Sequence, residues 1–166
     1  MKDYRKDIAS YISLETAVLQ ELRTDQINDV LNILEQALEQ EQNIYIFGNG
    51  GSAATASHFQ NDFNKGVSEH TGKKFRFQCL NDNVATILAI ANDIGYEEIF
   101  RFQLRGKVKK GDVVIAISGS GNSKNVLYAA EYAKENGAAV VGMTGFSGGR
   151  LKEICDYPLH VPVHSM

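Results

Sequence analysis

The sequence predicts an α/β fold, a three-layer αβα sandwich built around a parallel sheet. From Ile44 onward, short apolar runs alternate with longer segments of helical periodicity. The apolar runs are nearly continuous, which is typical of strands buried on both faces of a parallel sheet. Two of them, 44–47 and 113–117, lead directly into glycine- and serine-rich loops that are followed by helices. Ligands of such sheets bind at the carboxyl ends of the strands, where both loops would lie.

Two helices are expected before the first strand, within residues 1–41. In the first, the apolar residues on one side of a helical wheel are Ile8, Tyr11, Ile12, Val18, Leu19 and Leu22, with Glu15 interrupting them. In the second they are Ile27, Val30, Leu31, Leu34 and Leu38, and Thr24 or Asp25 is the expected N-cap. Because no strand precedes either helix, we interpret the first as a helix that packs against another subunit. The alternative is that both helices only cover the sheet.

The other elements form the α/β core, residues 42–166, and follow from the same patterns. The expected strands are 44–47, 75–79, 113–117, 139–143 and 159–163. The expected helices are 52–64, 84–92, 96–108, 124–136 and 149–154. Phe75, Phe77 and Cys79 alternate with polar residues, which predicts a more exposed strand. No linker interrupts the chain, so residues 1–166 are expected to form a single domain.

Composition and charge exclude several classes of function. The net charge is −3, which argues against nucleic acid as a direct partner. No apolar run approaches the roughly 18–20 residues of a membrane span, so no membrane association is expected and the protein is placed in the cytoplasm. Cys79 and Cys155 lack metal or redox spacing, and we interpret both as buried thiols instead of a disulfide.

The two glycine-rich loops together predict a cradle for a phosphate group. Each loop leads a strand into the N-terminus of a helix, where backbone N–H groups and the helix dipole favour an anion. The second loop adds the hydroxyls of Ser118, Ser120 and Ser123, and Gly119 and Gly121 allow a ligand to approach the backbone closely. The alternative for the second loop is a serine-rich turn in which Ser123 only caps the helix.

Other glycine-rich nucleotide sites fit the sequence poorly. Gly48-x-Gly50-x-x-Ala53 satisfies the dinucleotide fingerprint, but an acidic residue should end the next strand about 20 positions on. Glu69 precedes that strand and Asp82 lies too far along the chain. A nicotinamide or flavin cofactor is therefore disfavoured. The Gly-Lys-Ser/Thr of a Walker-type loop does not occur, so nucleotide triphosphate hydrolysis has no support.

Taken together, these motifs resemble the sugar isomerase (SIS) domain family, and within it the phosphoheptose isomerases. The matching stretches are 47–54, His58-Phe59, 91–96, 110–112, 118–126 and 143–145. The resemblance covers essentially the whole chain, and it implies a flavodoxin-like order of the parallel sheet. It also implies a homotetramer that interconverts sedoheptulose 7-phosphate and a heptose 7-phosphate, which feeds heptose synthesis for lipopolysaccharide and other surface glycans.

The resemblance also assigns site residues by position. The substrate- and phosphate-binding residues that it implies are Asn49, Gly50, Gly51, Ser52, Asp93, Ser118, Gly119, Ser120 and Ser123. Among these, the four serines would bind the phosphate, while Asn49 and Asp93 would help to hold the sugar chain. Asp82 lies where the family has a polar residue in the active-site lining.

His58 and Asp62 are the candidate catalytic residues. They lie four positions apart on a predicted helix that begins at the first loop, so they share a helix face. Such a pair suits acid/base chemistry or two ligands of a divalent metal; the alternative is a capped histidine and a solvated aspartate. The related isomerases usually have glutamate, a base and zinc ligand, where this chain has Asp62. The shorter side chain retracts the carboxylate by about 1 Å, a shift that can cost roughly a hundredfold in rate.

The family also continues into a C-terminal helix that carries a glutamine and a histidine of the site. This chain ends at Met166, where that helix would begin, and neither His160 nor His164 matches the missing histidine. We interpret the chain as a truncated form; the alternative is a protein that functions without these groups. A zinc site usually needs three or four ligands, so weak or no zinc binding is expected from His58 and Asp62 alone.

Two other functions remain open at this point. One is a non-catalytic SIS-domain protein that binds a sugar phosphate and acts as a regulator or as a partner of another protein, such as the bacterial replication initiator. The replacement by Asp62 and the missing helix favour that hypothesis. The other is an isomerase of a different sugar phosphate, such as an arabinose or hexulose phosphate.

Overall fold

A five-stranded parallel sheet forms the centre of the molecule. The computed structural model describes residues 2–164. The strands are β1 Ile44–Gly48, β2 Phe77–Cys79, β3 Val113–Ser118, β4 Ala139–Thr144 and β5 Tyr157–His160. Their order across the sheet is β2-β1-β3-β4-β5, and every pair is parallel. This α/β architecture confirms the predicted fold class.

Helices connect the strands and cover the sheet. They are α1 Arg5–Gln20, α2 Thr24–Glu39, α3 Gly51–Asn61, α4 Ser68–Thr71, α5 Val84–Asp93, α6 Arg101–Leu104, α7 Lys124–Glu135 and α8 Gly149–Ile154. A π-helical turn, Asp62–Val67, continues α3, and a 3₁₀ turn, Tyr96–Glu98, precedes α6. Among residues 2–164, every helix is too short or too polar to span a bilayer.

The sheet divides the core into two clusters because successive side chains of a strand point to opposite faces. Tyr45 and Phe47 of β1 pack with α5, α6, α7 and α8 on one face. Ile44 and Ile46 pack with α2 and α3 on the other face. The strands β1 and β3 are buried along their whole length, as the continuous apolar runs indicate. The three layers follow directly from this arrangement.

Helix α1 stands apart from both clusters. It contains no buried residue. Its apolar side chains lie on the surface: Ile8, Tyr11, Ile12 and Leu19 are each more than half exposed. By contrast, α2 buries Val30 and Leu34 against the sheet. Within the described chain, α2 therefore covers the sheet and α1 does not.

The observed elements correct the predicted ones at several ends. Helix α2 begins at Thr24 with Arg23 in the N-cap position and no side-chain cap bond, so the capping role given to Thr24 or Asp25 is wrong. The helix expected over 96–108 is instead a 3₁₀ turn followed by the short α6, and α6 ends at Leu104 because Arg105 leaves the helical conformation and Gly106 has a φ of +70°. The last strand is Tyr157–His160 and not 159–163, since its pairing with β4 ends at Thr144 and His160. Strand β2 begins at Phe77 and buries Phe77 and Cys79, with Gln78 exposed.

Both cysteines are free thiols. Cys79 is buried, as predicted, whereas Cys155 is only half-buried. Burial raises the pKa of the Cys79 thiol to about 11, which makes it a poor nucleophile near neutral pH.

Candidate active site

The two glycine-rich loops lie side by side at the carboxyl end of the sheet. We call residues 49–51 the first loop and residues 118–123 the second loop. They are neighbours because β1 and β3 are adjacent parallel strands, with Gly48 paired to Ile117. The first loop opens α3 and the second opens α7. Two helix N-termini are thereby directed at one region, as an anion site requires.

Two glycines set the shape of these loops. At Gly48 a Cβ atom would lie 2.6 Å from the Ser52 Cβ atom and 2.8 Å from the Ile117 carbonyl oxygen, so only glycine permits the close packing of β1, α3 and β3. At Gly121 φ is +66°, and a Cβ atom would lie 1.8 Å from the Gly148 carbonyl oxygen. Because Gly121 has no side chain, the second loop can pack closely against the turn that follows β4.

Hydroxyl groups of the second loop organise its backbone. Ser118 is buried and accepts a hydrogen bond from the Gly121 N–H at 3.2 Å, while its own hydroxyl donates to the Ser123 Oγ at 3.4 Å. Ser120 is exposed and accepts from the Asn122 N–H at 3.2 Å. Ser120 and Ser123 are therefore the hydroxyls of this loop with the most access to a ligand.

A cleft of about 840 Å³ lies over both loops. This volume is in the range of small-molecule sites. The predicted residues that line it are Asn49, Gly51, Ser52, Ser118, Gly119, Ser120 and Ser123. The structure thus brings together all four serines expected to bind phosphate and most of the wider set expected to bind the substrate.

Three residues of the turn after β4 also line the cleft and were missed from the sequence. They are Gly145, Phe146 and Ser147. The Gly145 N–H donates to the Gly119 carbonyl at 2.9 Å, and Phe146 has a φ of +45°, unusual for a residue with a side chain. Their position directly after an interior strand and before Gly148-Gly149 could have identified them as candidate site residues.

His58 and Asp62 lie together but outside the residues that line the cleft. The His58 Nε2 is 3.2 Å from the Asp62 Oδ2, with side-chain exposures of 73% and 54%. Asp62 is the first residue of the π-helical turn after α3. The predicted sharing of a helix face is confirmed, whereas a catalytic role stays a prediction.

Asp93, Asp82 and Gly50 are also absent from the cleft lining. Asp93 is exposed at the end of α5 and accepts from the Asn92 Nδ2 at 2.8 Å. Asp82 accepts from the Gln60 Nε2 at 2.7 Å, which ties the loop after β2 to the helix that carries His58. Gly50 precedes α3 with a φ of +56° and shapes the first loop.

The pair His58–Asp62 does not complete a zinc site within residues 2–164. No group of three or more His, Cys, Asp or Glu side chains in that part of the chain is arranged to hold a metal ion. His160 lies at the end of β5, where its Nδ1 is 3.0 Å from the Thr144 Oγ1, and burial lowers its pKa. His164 packs edge-on against Phe146.

Asn49 has protein partners on both sides of its amide. Its Nδ2 donates to the Asn125 Oδ1 at 2.9 Å, and its Oδ1 accepts from the Asn125 Nδ2 at 2.9 Å. The Tyr96 hydroxyl donates to the same Asn49 Oδ1 at 3.0 Å. We call these three side chains the asparagine clasp. Asn125 and Tyr96 lie in the matching stretches 118–126 and 91–96, but neither was predicted to be a site residue.

Comparisons with known proteins identify the family to which this fold belongs. The family model described as SIS domain matches residues 4–145. A phosphoheptose isomerase from Aneurinibacillus thermoaerophilus is 38% identical over 98% of this chain and 82% of its own length. The solved structure of phosphoheptose isomerase from Neisseria gonorrhoeae has a TM-score of 0.89 at 29% identity, covering 99% of this chain and 89% of that one. A phosphoheptose isomerase from Francisella tularensis gives a TM-score of 0.89 at 28% identity over the same shares of the two chains. The chain belongs to the SIS domain family, where its relatives are phosphoheptose isomerases.

Proposed function

We propose that this protein converts sedoheptulose 7-phosphate into D-glycero-D-manno-heptose 7-phosphate in heptose biosynthesis. Its family makes it an aldose–ketose phosphosugar isomerase. The observation that carries the proposal is the pair of adjacent loops, each leading into a helix N-terminus at one cleft. We further propose that the product supplies surface glycans such as lipopolysaccharide and that the reaction takes place in the cytoplasm.

The cleft supplies the groups that a phosphorylated sugar needs. The N-termini of α3 and α7 favour the phosphate dianion, and the hydroxyls of Ser52, Ser120 and Ser123 can donate to its oxygens. A phosphate held at this end leaves the sugar chain to extend along the cleft. This anchoring fixes the position of the reacting carbons, which is a large part of catalysis in a proton-transfer reaction.

The chemistry is a proton transfer between neighbouring carbons. A base removes a proton from carbon 1 of the ketose, the carbonyl oxygen at carbon 2 gains a proton, and an enediol forms. Return of a proton to carbon 2, with loss of the proton on the carbon 1 oxygen, gives the aldose. We assign the base to Asp62 and the acid for the sugar oxygens to His58, since their 3.2 Å contact couples the two groups. Both are exposed, so substrate must reach beyond the loops to meet them.

His58 and Asp62 do not by themselves fit a zinc ion. His58 and Asp62 offer two ligands, and the part of the chain that the structure describes contributes no third His, Cys, Asp or Glu beside them. Two ligands are fewer than a protein zinc site needs.

We also propose that the protein works as a homo-oligomer, a tetramer. The support is α1, a 16-residue helix with no buried residue and four largely exposed apolar side chains. An apolar stripe of this kind marks an interaction surface.

The test is a substrate panel followed by ³¹P NMR. The protein is incubated separately with sedoheptulose 7-phosphate, arabinose 5-phosphate and a hexulose 6-phosphate. We expect a new aldose phosphate signal from the heptulose and at least a hundredfold slower conversion of the others. Faster conversion of another sugar would contradict the assigned substrate. Broadened signals without conversion of any sugar would favour a binding protein, consistent with the exposed position of His58 and Asp62.

A further inference from the structure

The asparagine clasp joins the first loop to the start of α7. Asn49 lines the cleft, whereas Asn125 and Tyr96 are not among the lining residues. Asn125 is 2% exposed, so its amide depends on protein partners alone. Tyr96 lies in the 3₁₀ turn that follows α5. The clasp therefore connects three separate elements through the amide of one cleft residue.

The hydrogen bonds fix which atom of each amide faces which partner. The Val126 backbone N–H can only donate, and it donates to the Asn125 Oδ1 at 2.9 Å. The Asn125 Nδ2 then faces Asn49 and must meet an acceptor, which is the Asn49 Oδ1. A single backbone N–H thus sets the orientation of both asparagine amides.

The Asn49 oxygen is fully used inside the protein. A carbonyl oxygen has two lone pairs, and those of the Asn49 Oδ1 accept from the Asn125 Nδ2 and the Tyr96 hydroxyl. The Asn49 Nδ2 has two hydrogens, of which one is donated to the Asn125 Oδ1. The group left for a ligand is one N–H donor.

We propose that Asn125 and Tyr96 are positioning residues that make Asn49 a donor, and never an acceptor, toward the substrate. This inference rests on the proposed function. The free N–H of Asn49 requires a hydrogen-bond acceptor on the substrate. This acceptor is either a phosphate oxygen or the sugar oxygen that becomes negative as the enediol forms. A donor held in place before the reaction stabilises such charge without reorganisation.

The first test removes one donor at a time from the Asn49 oxygen. Tyr96→Phe deletes the hydroxyl, and Asn125→Asp replaces the Nδ2 donor while retaining an acceptor for the Val126 N–H. Each variant is expected to lower kcat/KM about tenfold. The matched controls are Tyr132→Phe and Asn136→Asp near the other end of α7, which should change kcat/KM less than twofold.

The second test separates positioning from a structural role. Asn49→Ala alone should lower kcat/KM about a hundredfold. If Tyr96 and Asn125 act only through Asn49, their substitution in the Asn49→Ala background should have less than a twofold further effect. Equal losses in both backgrounds, or no loss in the native background, would overturn the proposal. Tyr96 is exposed, so Tyr96→Phe is expected to fold even where Asn125→Asp does not.

Binding of inorganic phosphate distinguishes whether Asn49 donates to a phosphate oxygen or to a sugar oxygen of the substrate. Weaker phosphate binding by Asn49→Ala in calorimetry would assign the donor to a phosphate oxygen. Unchanged phosphate binding with a reduced kcat would assign it to the sugar oxygen. Both results agree with a donor role.

A final readout needs no enzymatic activity and therefore separates this inference from the proposed function. In a ¹H–¹⁵N spectrum, the Asn49 side-chain amide protons should exchange with solvent several-fold faster in Tyr96→Phe than in Tyr132→Phe. Equal exchange rates would overturn the clasp even if the isomerase assay succeeds. Faster exchange would support the clasp even if no sugar phosphate is converted.

Discussion

Among the individual residues of the site, Asp62 is proposed to transfer protons and the residues of the two loops to bind phosphate. The loops bind charge through backbone dipoles and hydroxyls, neither of which can remove a proton bound to carbon. Asp62 and His58 are the acid/base pair closest in sequence to the first loop, and they contact each other. Binding and proton transfer should therefore respond to different substitutions.

We predict that Asp62→Asn lowers kcat at least a hundredfold because the amide cannot accept a proton. Asp62→Glu should retain or raise kcat, since it returns the carboxylate by about 1 Å toward the substrate. Steady-state kinetics measure both, with Glu69→Gln on the exposed side of α4 as the control. An Asp62→Asn variant with native kcat would remove Asp62 from the proposed mechanism.

Part of the site could be predicted from the sequence, and the rest could not, for a physical reason. Loop residues such as Ser52 and Ser120 were predictable because glycine and serine after an apolar strand have a local chemical meaning. The clasp was not, because the Asn49–Asn125 contact spans 76 positions and depends on the pairing of β1 with β3. The cleft residues Phe146 and Ser147 were missed although glycines flank them, because their place in the cleft depends on the contact of this turn with the second loop, which the Gly145 N–H makes to the Gly119 carbonyl.

At the element scale, the second loop depends on its contact with the turn after β4. The Gly121 carbonyl accepts from the Leu151 N–H at 2.9 Å, so this loop and α8 are held together. The fit leaves no space for a side chain at Gly121.

Gly121→Ala should therefore destabilise the protein by about 2–4 kcal/mol, since it adds a steric clash to a left-handed backbone conformation. The matched control is Gly66→Ala in the π-helical turn, where a Cβ atom would meet open space and φ is not positive. We expect the control to lie within about 1 kcal/mol of the native protein. Urea denaturation measures the difference, and equal stabilities would show that the loop tolerates a side chain.

The 3₁₀ turn and α6 are held by a charged cluster. Arg101 and Arg105 both donate to the nearly buried Glu98, and the Arg101 guanidinium lies 4.9 Å from the centre of the Tyr128 ring on α7. The hydrogen bond from Arg101 is the main cause of a lowered Glu98 pKa. A carboxylate with a lowered pKa stabilises the folded state above its unfolded pKa, here 4.5, and loses this contribution as pH falls through the folded value.

Glu98→Gln should thus cost about 1–2 kcal/mol at neutral pH and less at about pH 3, which is below the unfolded pKa of 4.5. The free energy of unfolding in urea at the two pH values gives the comparison. Glu97→Gln, at the exposed neighbouring position, should show no such pH-dependent difference. A Glu98→Gln penalty that is the same at both pH values would mean that its charge is not responsible.

The elements themselves were predictable to different degrees. The strands β1 and β3 were evident because burial on both faces leaves only apolar residues. The long helix expected over 96–108 was wrong because its periodicity continues past Arg105, where a left-handed Gly106 ends the helical path. The last strand was misplaced because the tail 161–163 is as apolar as a strand, while its pairing with β4 ends at His160.

For the molecule as a whole, the exposed apolar side chains of α1 bear on whether the protein is a monomer or an oligomer. The described chain buries α2 but leaves α1 with its apolar stripe exposed. Exposed stripes of this kind are a liability unless another surface covers them.

We predict that the native protein has about four times the 18.3 kDa chain mass and that Ile12→Glu with Leu19→Glu lowers this mass. Ser10→Glu, at an exposed polar position of the same helix, should leave the mass unchanged. Size-exclusion chromatography with light scattering measures all three proteins. A native monomer, or a double variant with the native mass, would show that α1 is not the contact surface.

The proposed function requires the cleft over the two loops to support proton transfer on a phosphorylated ketose. Proton NMR of the protein with sedoheptulose 7-phosphate in heavy water detects this transfer. We expect a growing aldose signal, with deuterium at carbon 2 of the aldose and, on reversal, at carbon 1 of the ketose. A ketose that retains all its carbon-bound protons during prolonged incubation with the protein would show that the cleft does not support this chemistry.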